Sequence, residues 1–151
     1  MNIELEQLYQ QVILDHNKSP RNFGIIENAT NYAVGHNPLC GDHIDIYLVL
    51  KDSIIEDIKF NGSGCAISKA SASIMTTILK GKTIEETKFI FKNFHELITS
   101  DIEKEQEEIQ PEKLAVFSGV RQFPSRVKCA SLAWHTMNTA IEKNEAEVST
   151  E

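Results

Sequence analysis

The pattern that most restricts the fold lies at residues 43–50, where apolar and polar side chains alternate. Ile44, Ile46, Leu48 and Leu50 fall on one side of an extended chain, and Asp45, Tyr47 and Val49 on the other. Side chains in a strand alternate with period two, so this segment reads as a half-buried strand. Lys51-Asp52-Ser53 turns the chain, and residues 54–60 return as a second strand. Asn61-Gly62-Ser63-Gly64 then stops the resulting antiparallel hairpin. An apolar sheet face needs a covering layer, and the remaining chain offers helices for it.

Residues 4–17 place Leu5, Leu8, Val12 and Ile13 at helical spacing, and Ser19-Pro20-Arg21-Asn22 ends that helix. A short strand is expected at 30–34, followed by a Gly-, Asn- and Pro-containing loop over 35–41. Cys65 opens a helix over 66–80 with a stripe of Ile67, Ala70, Ile74 and Ile78, and Gly81 closes it. Thr83-Ile84-Glu85-Glu86 fits a capping box for the next helix, whose buried side carries Phe91, Phe94 and Ile98. Residues 100–113 are strongly acidic and read as a surface insertion. The apolar run 114–120 is expected to pack on the hairpin. Pro124 suits the first turn of a final helix bearing Val127, Ser131, Trp134, Met137 and Ile141, with Trp134 read as core. The polar tail 143–151 is expected to fray. The sum is an α+β fold: a small antiparallel three-stranded sheet with helices packed on one face, in a single domain over residues 1–151.

Composition excludes some functions. A net charge of -7 on 151 residues disfavours nucleic acid or an anionic membrane as partner. No apolar stretch approaches the roughly 20 residues that span a bilayer. The N-terminus has no basic segment leading into an apolar run, so no secretory signal is read there, and a cytoplasmic setting is expected. Three cysteines cannot all pair within one molecule, which agrees with a reducing compartment.

Those cysteines carry the chemistry. Cys40 and Asp42 lie in Asn37-Pro38-Leu39-Cys40-Gly41-Asp42, Cys65 in Gly62-Ser63-Gly64-Cys65-Ala66, and Cys129 in Arg126-Val127-Lys128-Cys129-Ala130. Three thiolates and a carboxylate can complete a four-coordinate Zn(II) site. The same thiols can carry sulfur as a persulfide, because the thiolate is the nucleophile in sulfur exchange. Gly41 gives the backbone freedom to turn Cys40 and Asp42 toward one point. At a helix N-terminus the Cys65 thiol is expected to ionise more readily, and Cys129 is expected to feel Arg126 and Lys128. His36 and His43 flank the Cys40 loop and are either donors to the site or solvated side chains. Arg126 either pairs with Asp42 when no metal is held or serves a partner interface. Lys128 either tunes Cys129 or faces solvent.

The three cysteine motifs, with Leu8-Tyr9-Gln10-Gln11-Val12-Ile13-Leu14-Asp15-His16 and Pro20-Arg21-Asn22-Phe23-Gly24, resemble the SufU-type members of the IscU/NifU N-terminal family of iron–sulfur cluster assembly proteins. The resemblance covers nearly the whole chain and implies a SufE/NifU-like fold. Lys128 stands where IscU-type scaffolds carry a histidine, and the acidic stretch resembles part of the SufU insertion. The resemblance implies zinc held by Cys40, Asp42, Cys65 and Cys129. It implies persulfide sulfur taken from a SufS-type pyridoxal-phosphate (PLP) cysteine desulfurase, with Cys40 as acceptor, and passed to downstream Fe–S assembly proteins. A desulfurase histidine is implied to displace Cys40 from the metal. Whether such a protein counts as a sulfurtransferase or as an activator of its partner stays open. The alternative is a scaffold holding a transient Fe–S cluster on the same ligands, and a third reading is a zinc that only holds the fold together.

Overall fold

The alternation at 43–50 becomes the central strand of a sheet in the computed structural model, which describes residues 3–100, 112–143 and 146–149. The helices are α1 (Ile3–Lys18), α2 (Ala66–Leu79), α3 (Ile84–Thr99) and α4 (Pro124–Glu142), and the strands are β1 (Asn31–Asn37), β2 (Asp42–Lys51), β3 (Ile54–Ser63) and β4 (Ala146–Ser149). Two 3-10 turns, Glu112–Phe117 and Val120–Gln122, lead into α4. The sheet order is β3-β2-β1-β4. β1, β2 and β3 form the expected three-stranded antiparallel sheet. No helix among the described residues is long and apolar enough to cross a membrane.

The β2–β3 connection is a two-residue loop in which Asp52 and Ser53 both have positive φ, 53° and 63°. That is the signature of a type I′ turn, whose twist matches the strands it joins. Inner-face residues of all three strands, Ala33, Ile44, Ile46, Leu48, Ile55, Ile58 and Phe60, are fully buried. Helices α4 and α2 cover this face, α4 against β1 and β2 and α2 against β3, while α1 lies on α2. Trp134 of α4 stacks on Phe94 of α3 at 4.5 Å, and Phe117 meets Phe94 edge-on at 5.7 Å. The Trp134 indole N–H donates to Ser71 Oγ at 3.1 Å, and Ser71 donates to the Ala130 carbonyl at 2.6 Å. The buried polar end of the tryptophan is therefore satisfied. Thr83 and Glu86 form the reciprocal capping box that starts α3.

Several details differ from the sequence reading, among them β3, which runs through Ser63 rather than stopping at residue 60. β1 runs to Asn37, three residues past its expected end, pairing His36 with His43 and Asn37 with Asp42. Gly35, read as loop, lies inside the strand, paired with Ile44, and a Cβ there would collide with the Thr136 hydroxyl; the glycine marks a close approach of α4 rather than a turn. The tail does not simply fray: Ala146–Ser149 pairs with β1 as a parallel edge strand, meeting backbone groups that an edge would otherwise leave open. The 3-10 turn at Glu112–Phe117 packs on α1, α2 and α3 rather than on the hairpin. In α1, Val12 and Ile13 join the core as expected, but Leu8 is exposed. The proposed acidic insertion falls mostly on residues 101–111, outside the described residues.

Candidate metal centre

At one end of the sheet three segments meet: the β1–β2 turn, the β3–α2 junction and the second turn of α4. Cys40 sits exposed on the first, its backbone N–H bonded to the Asn37 carbonyl at 3.2 Å. Gly41 follows with φ +72°, a left-handed conformation that reverses the chain and starts β2 at Asp42. The Asp42 side chain consequently points inward and is only 2% exposed. Its Oδ1 accepts the Cys65 backbone N–H at 2.8 Å, and its Oδ2 lies 3.9 Å from Cys65 Sγ. Gly64 makes this fit possible, since a Cβ there would lie 2.5 Å from Asp42 Oδ1.

Cys65 is the N-cap of α2, and its Sγ accepts the Ser68 backbone N–H at 3.4 Å. Cys129 is fully buried; its Sγ lies 3.4 Å from Cys40 Sγ and 3.8 Å from Asn37 Nδ2. Ligand atoms of Cys40, Asp42 and Cys129 all lie within 4.8 Å of one another. Cys65 is not part of that tight group, yet its thiol and its backbone N–H both reach Asp42.

This donor set fits a small thiophilic cation. Thiolates held tetrahedrally at about 2.3 Å from zinc stand roughly 3.8 Å apart, and a thiolate and a carboxylate oxygen roughly 3.6 Å apart. Cys40 and Cys129 at 3.4 Å and Cys65 and Asp42 at 3.9 Å lie close to those values, while Cys65 must still move to join the other three around one ion. Asp42 is also anchored through Oδ1, which leaves Oδ2 for a metal.

The thiol electrostatics correct one expectation. Burial, then hydrogen bonds to Cys40 and Cys65 and the charges of Cys65 and Asp42, push the Cys129 thiol well above its ordinary pKa. Arg126 and Lys128 do not offset that burial. A positive ion in the pocket is therefore what would ionise this thiol.

The flanking candidates separate from the cluster. His43 is on the opposite face of β2 from Asp42, bonded to Asp45 Oδ1 through Nε2 at 2.9 Å and edge-on to His36 at 4.6 Å. It makes no hydrogen bond to the four candidate ligands, so strand alternation removes it from the role of donor to the site. Arg126 is exposed and makes no ion pair with Asp42. It instead helps line a cleft of about 410 Å³, with Tyr9 and Ile13 of α1, Ile67 of α2, and Val120 and Phe123. Lys128 is partly exposed on α4. Asn37 escaped the sequence reading. It is fully buried beside Cys129, and its Oδ1 has no hydrogen-bond partner among the described residues. Its place directly before Pro38 made it look like loop chemistry.

Fold and site together define a small α+β domain that gathers cysteines and an aspartate at one end of its sheet. The chain belongs to the NifU-like N terminal domain family, whose model matches residues 8–150. It is 40% identical over 144 residues to the zinc-dependent sulfurtransferase SufU of Bacillus subtilis (strain 168), covering 95% of this chain and 96% of that one. It is 36% identical over 141 residues to the iron-sulfur cluster assembly scaffold protein IscU of Streptococcus pyogenes serotype M1, covering 93% and 87%. Its structure matches that of FiSufU from Fervidobacterium islandicum AW-1, assigned as an iron-sulfur cluster assembly scaffold protein for the SUF system. That match has a TM-score of 0.80 and 35% identity, and covers 90% of this chain and 98% of that one.

Proposed function

We propose that this protein is a zinc-dependent sulfur acceptor and carrier in iron–sulfur cluster assembly, loaded at Cys40 by a SufS-type PLP cysteine desulfurase. One observation carries the reading: Cys40 is exposed, whereas Asp42 and Cys129, whose ligand atoms lie within 4.8 Å of it, are buried. One thiol of the cluster is thus presented to a partner while the others are held inside. The B. subtilis relative, named a zinc-dependent sulfurtransferase, supports the same assignment.

Cys40, Asp42, Cys65 and Cys129 would hold the zinc, which when bound supplies the positive charge that keeps these thiols ionised and shielded from oxidation. Cys40 on its turn presents Sγ to the partner. Its thiolate attacks the outer sulfur of the desulfurase persulfide, a new sulfur–sulfur bond forms on Cys40, and the desulfurase cysteine leaves as thiolate. Asp42, tied through Oδ1 to the Cys65 N–H, keeps the β1–β2 turn docked on α2 while Cys40 carries its load. Arg126, Phe123 and the cleft beside the site offer one cation and apolar surface for the partner. The carrier then hands sulfur to downstream Fe–S assembly proteins. Three free thiols suit a reducing compartment, and we place the protein in the cytoplasm.

The test is desulfurase turnover with and without the purified protein. Stimulation that vanishes in Cys40→Ala supports the acceptor role; full stimulation by Cys40→Ala removes it. A second reading, a scaffold for a transient Fe–S cluster on the same four residues, is favoured by the relatives named as scaffolds. Anaerobic reconstitution with iron and sulfide separates the two: a brown protein that passes its cluster to an apo-acceptor supports the scaffold, and a colourless protein that retains zinc supports the carrier.

A further inference from the structure

The Cys40 and Cys129 sulfurs are 3.4 Å apart, one exposed and the other fully buried. A partner's persulfide reaches Cys40 from solvent. Cys129 meets that same sulfur only from inside the fold. We propose that Cys129 is a resolving thiol, which discharges the sulfur carried on Cys40 as hydrosulfide. The proposal rests on the reading of Cys40 as sulfur acceptor.

The step balances without any further oxidant. The Cys129 thiol passes its proton to the outer sulfur of the persulfide as its own sulfur attacks Cys40 Sγ, the inner one. The Cys40–Cys129 bond forms as the bond to the outer sulfur breaks, and that sulfur departs with the electron pair as hydrosulfide. Hydrosulfide is the conjugate base of a stronger acid than an alkyl thiol, so it leaves more readily than a cysteine thiolate would. A dithiol reductant then returns the disulfide to two thiols and is itself oxidised to a disulfide. Contact distance makes the attack intramolecular, with the rate advantage that fixed neighbours have over free thiols.

Geometry selects Cys129 over Cys65 for this step. Cys65 Sγ accepts the Ser68 N–H, lies beside Asp42 Oδ2, and falls outside the group in which Cys40 and Cys129 are mutual neighbours. Closing 3.4 Å to a disulfide bond of about 2.05 Å requires movement on only one side. Cys40, exposed on a turn that reverses at Gly41, is placed to supply it, whereas Cys129 is fixed within α4.

The experiment loads the purified protein anaerobically with inorganic polysulfide, which bypasses any desulfurase. Released sulfide is measured, and the alkylated, non-reduced protein is mapped by mass spectrometry. The natural protein is expected to release sulfide and to yield a linked Cys40–Cys129 peptide. In Cys129→Ser the persulfide should stay on Cys40, with sulfide release at least about tenfold slower. Cys65→Ser also takes one thiol from the site, yet should still give the Cys40–Cys129 link. Undiminished release from Cys129→Ser, a Cys40–Cys65 link, sulfur retained on Cys129 as a persulfide, or no link at all would overturn the proposal. If Cys129→Ser does not fold, the peptide map of the natural protein decides alone. A desulfurase that cannot load Cys40 while polysulfide can would remove the proposed donor and leave the discharge step standing.

Discussion

The Cys65 backbone N–H donates to Asp42 Oδ1 at 2.8 Å, across 23 residues of chain. This bond ties the β1–β2 turn to the N-terminus of α2. It holds a carboxylate where the amides and dipole of a helix start favour negative charge. It also gives Asp42 two separable roles, tether through Oδ1 and candidate ligand through Oδ2.

Those roles separate by substitution. Asp42→Asn keeps an oxygen acceptor for the Cys65 N–H but loses the charged ligand. Asp42→Ala loses both and leaves a half-buried donor unpaired, at a cost of about 1–3 kcal/mol. Both variants should bind zinc more weakly, by at least about tenfold. Only the alanine variant should also melt clearly lower in its zinc-free form. Equal melting temperatures for the two zinc-free variants would show that the tether contributes nothing.

Gly64 should tolerate no side chain. A Cβ at this position lies 2.5 Å from Asp42 Oδ1, too near for any ordinary contact. Gly64→Ala must push Asp42 aside, so zinc content should drop while far-UV circular dichroism stays native. Gly119 faces open space, and Gly119→Ala serves as the control with undisturbed zinc content.

Trp134 is the largest fully buried side chain and joins α4 to α2 and α3. Trp134→Ala should cost about 3–5 kcal/mol, a large fraction of the stability of an ordinary domain. Chemical denaturation measures it. A loss below about 1 kcal/mol would mean that the aromatic stack is not the core that the packing indicates.

Acid should weaken the fold through His135. This half-buried ring packs edge-on to Phe91 at 5.2 Å and lies 5.9 Å from His95. Burial first, then the charge of His95, hold its pKa below the ordinary value. The folded state therefore resists a proton that the unfolded chain accepts at roughly pH 6.5. Stability is unaffected above that pH and falls as the pH drops below it. His16, lowered mainly by its own burial, acts in the same direction. Urea midpoints at about pH 7.5 and 5.5 should differ in the natural protein and differ less in His135→Gln. An identical pH effect in the variant would assign the loss elsewhere.

Much of this architecture was legible because its signals are local. Period-two alternation announced β2 at Ile44, Ile46 and Leu48, and Thr83 with Glu86 announced the start of α3. The cysteine motifs pointed to one site because each stood beside a glycine or at a helix start, where side chains can be aimed. What escaped depends on contacts distant in sequence. Gly35 reads as a loop residue until α4 is seen to press Thr136 against it. The β4 segment is four residues long and pairs with a strand more than a hundred positions earlier, so no local pattern announces it. The Cys129 thiol was expected to feel its sequence neighbours Arg126 and Lys128, but the helix buries its sulfur among Cys40, Cys65 and Asp42. His43 sits one residue from Asp42, and in a strand one residue is the difference between two faces.

The measurement that bears most directly on the centre is zinc X-ray absorption on the purified protein, paired with elemental analysis. Coordination by Cys40, Asp42, Cys65 and Cys129 predicts stoichiometric zinc with about three sulfur neighbours near 2.3 Å and one oxygen near 2.0–2.2 Å. It also predicts that one sulfur disappears from this shell in Cys40→Ala. A shell of nitrogen and oxygen alone, or a sulfur count that Cys40→Ala leaves unchanged, would contradict it.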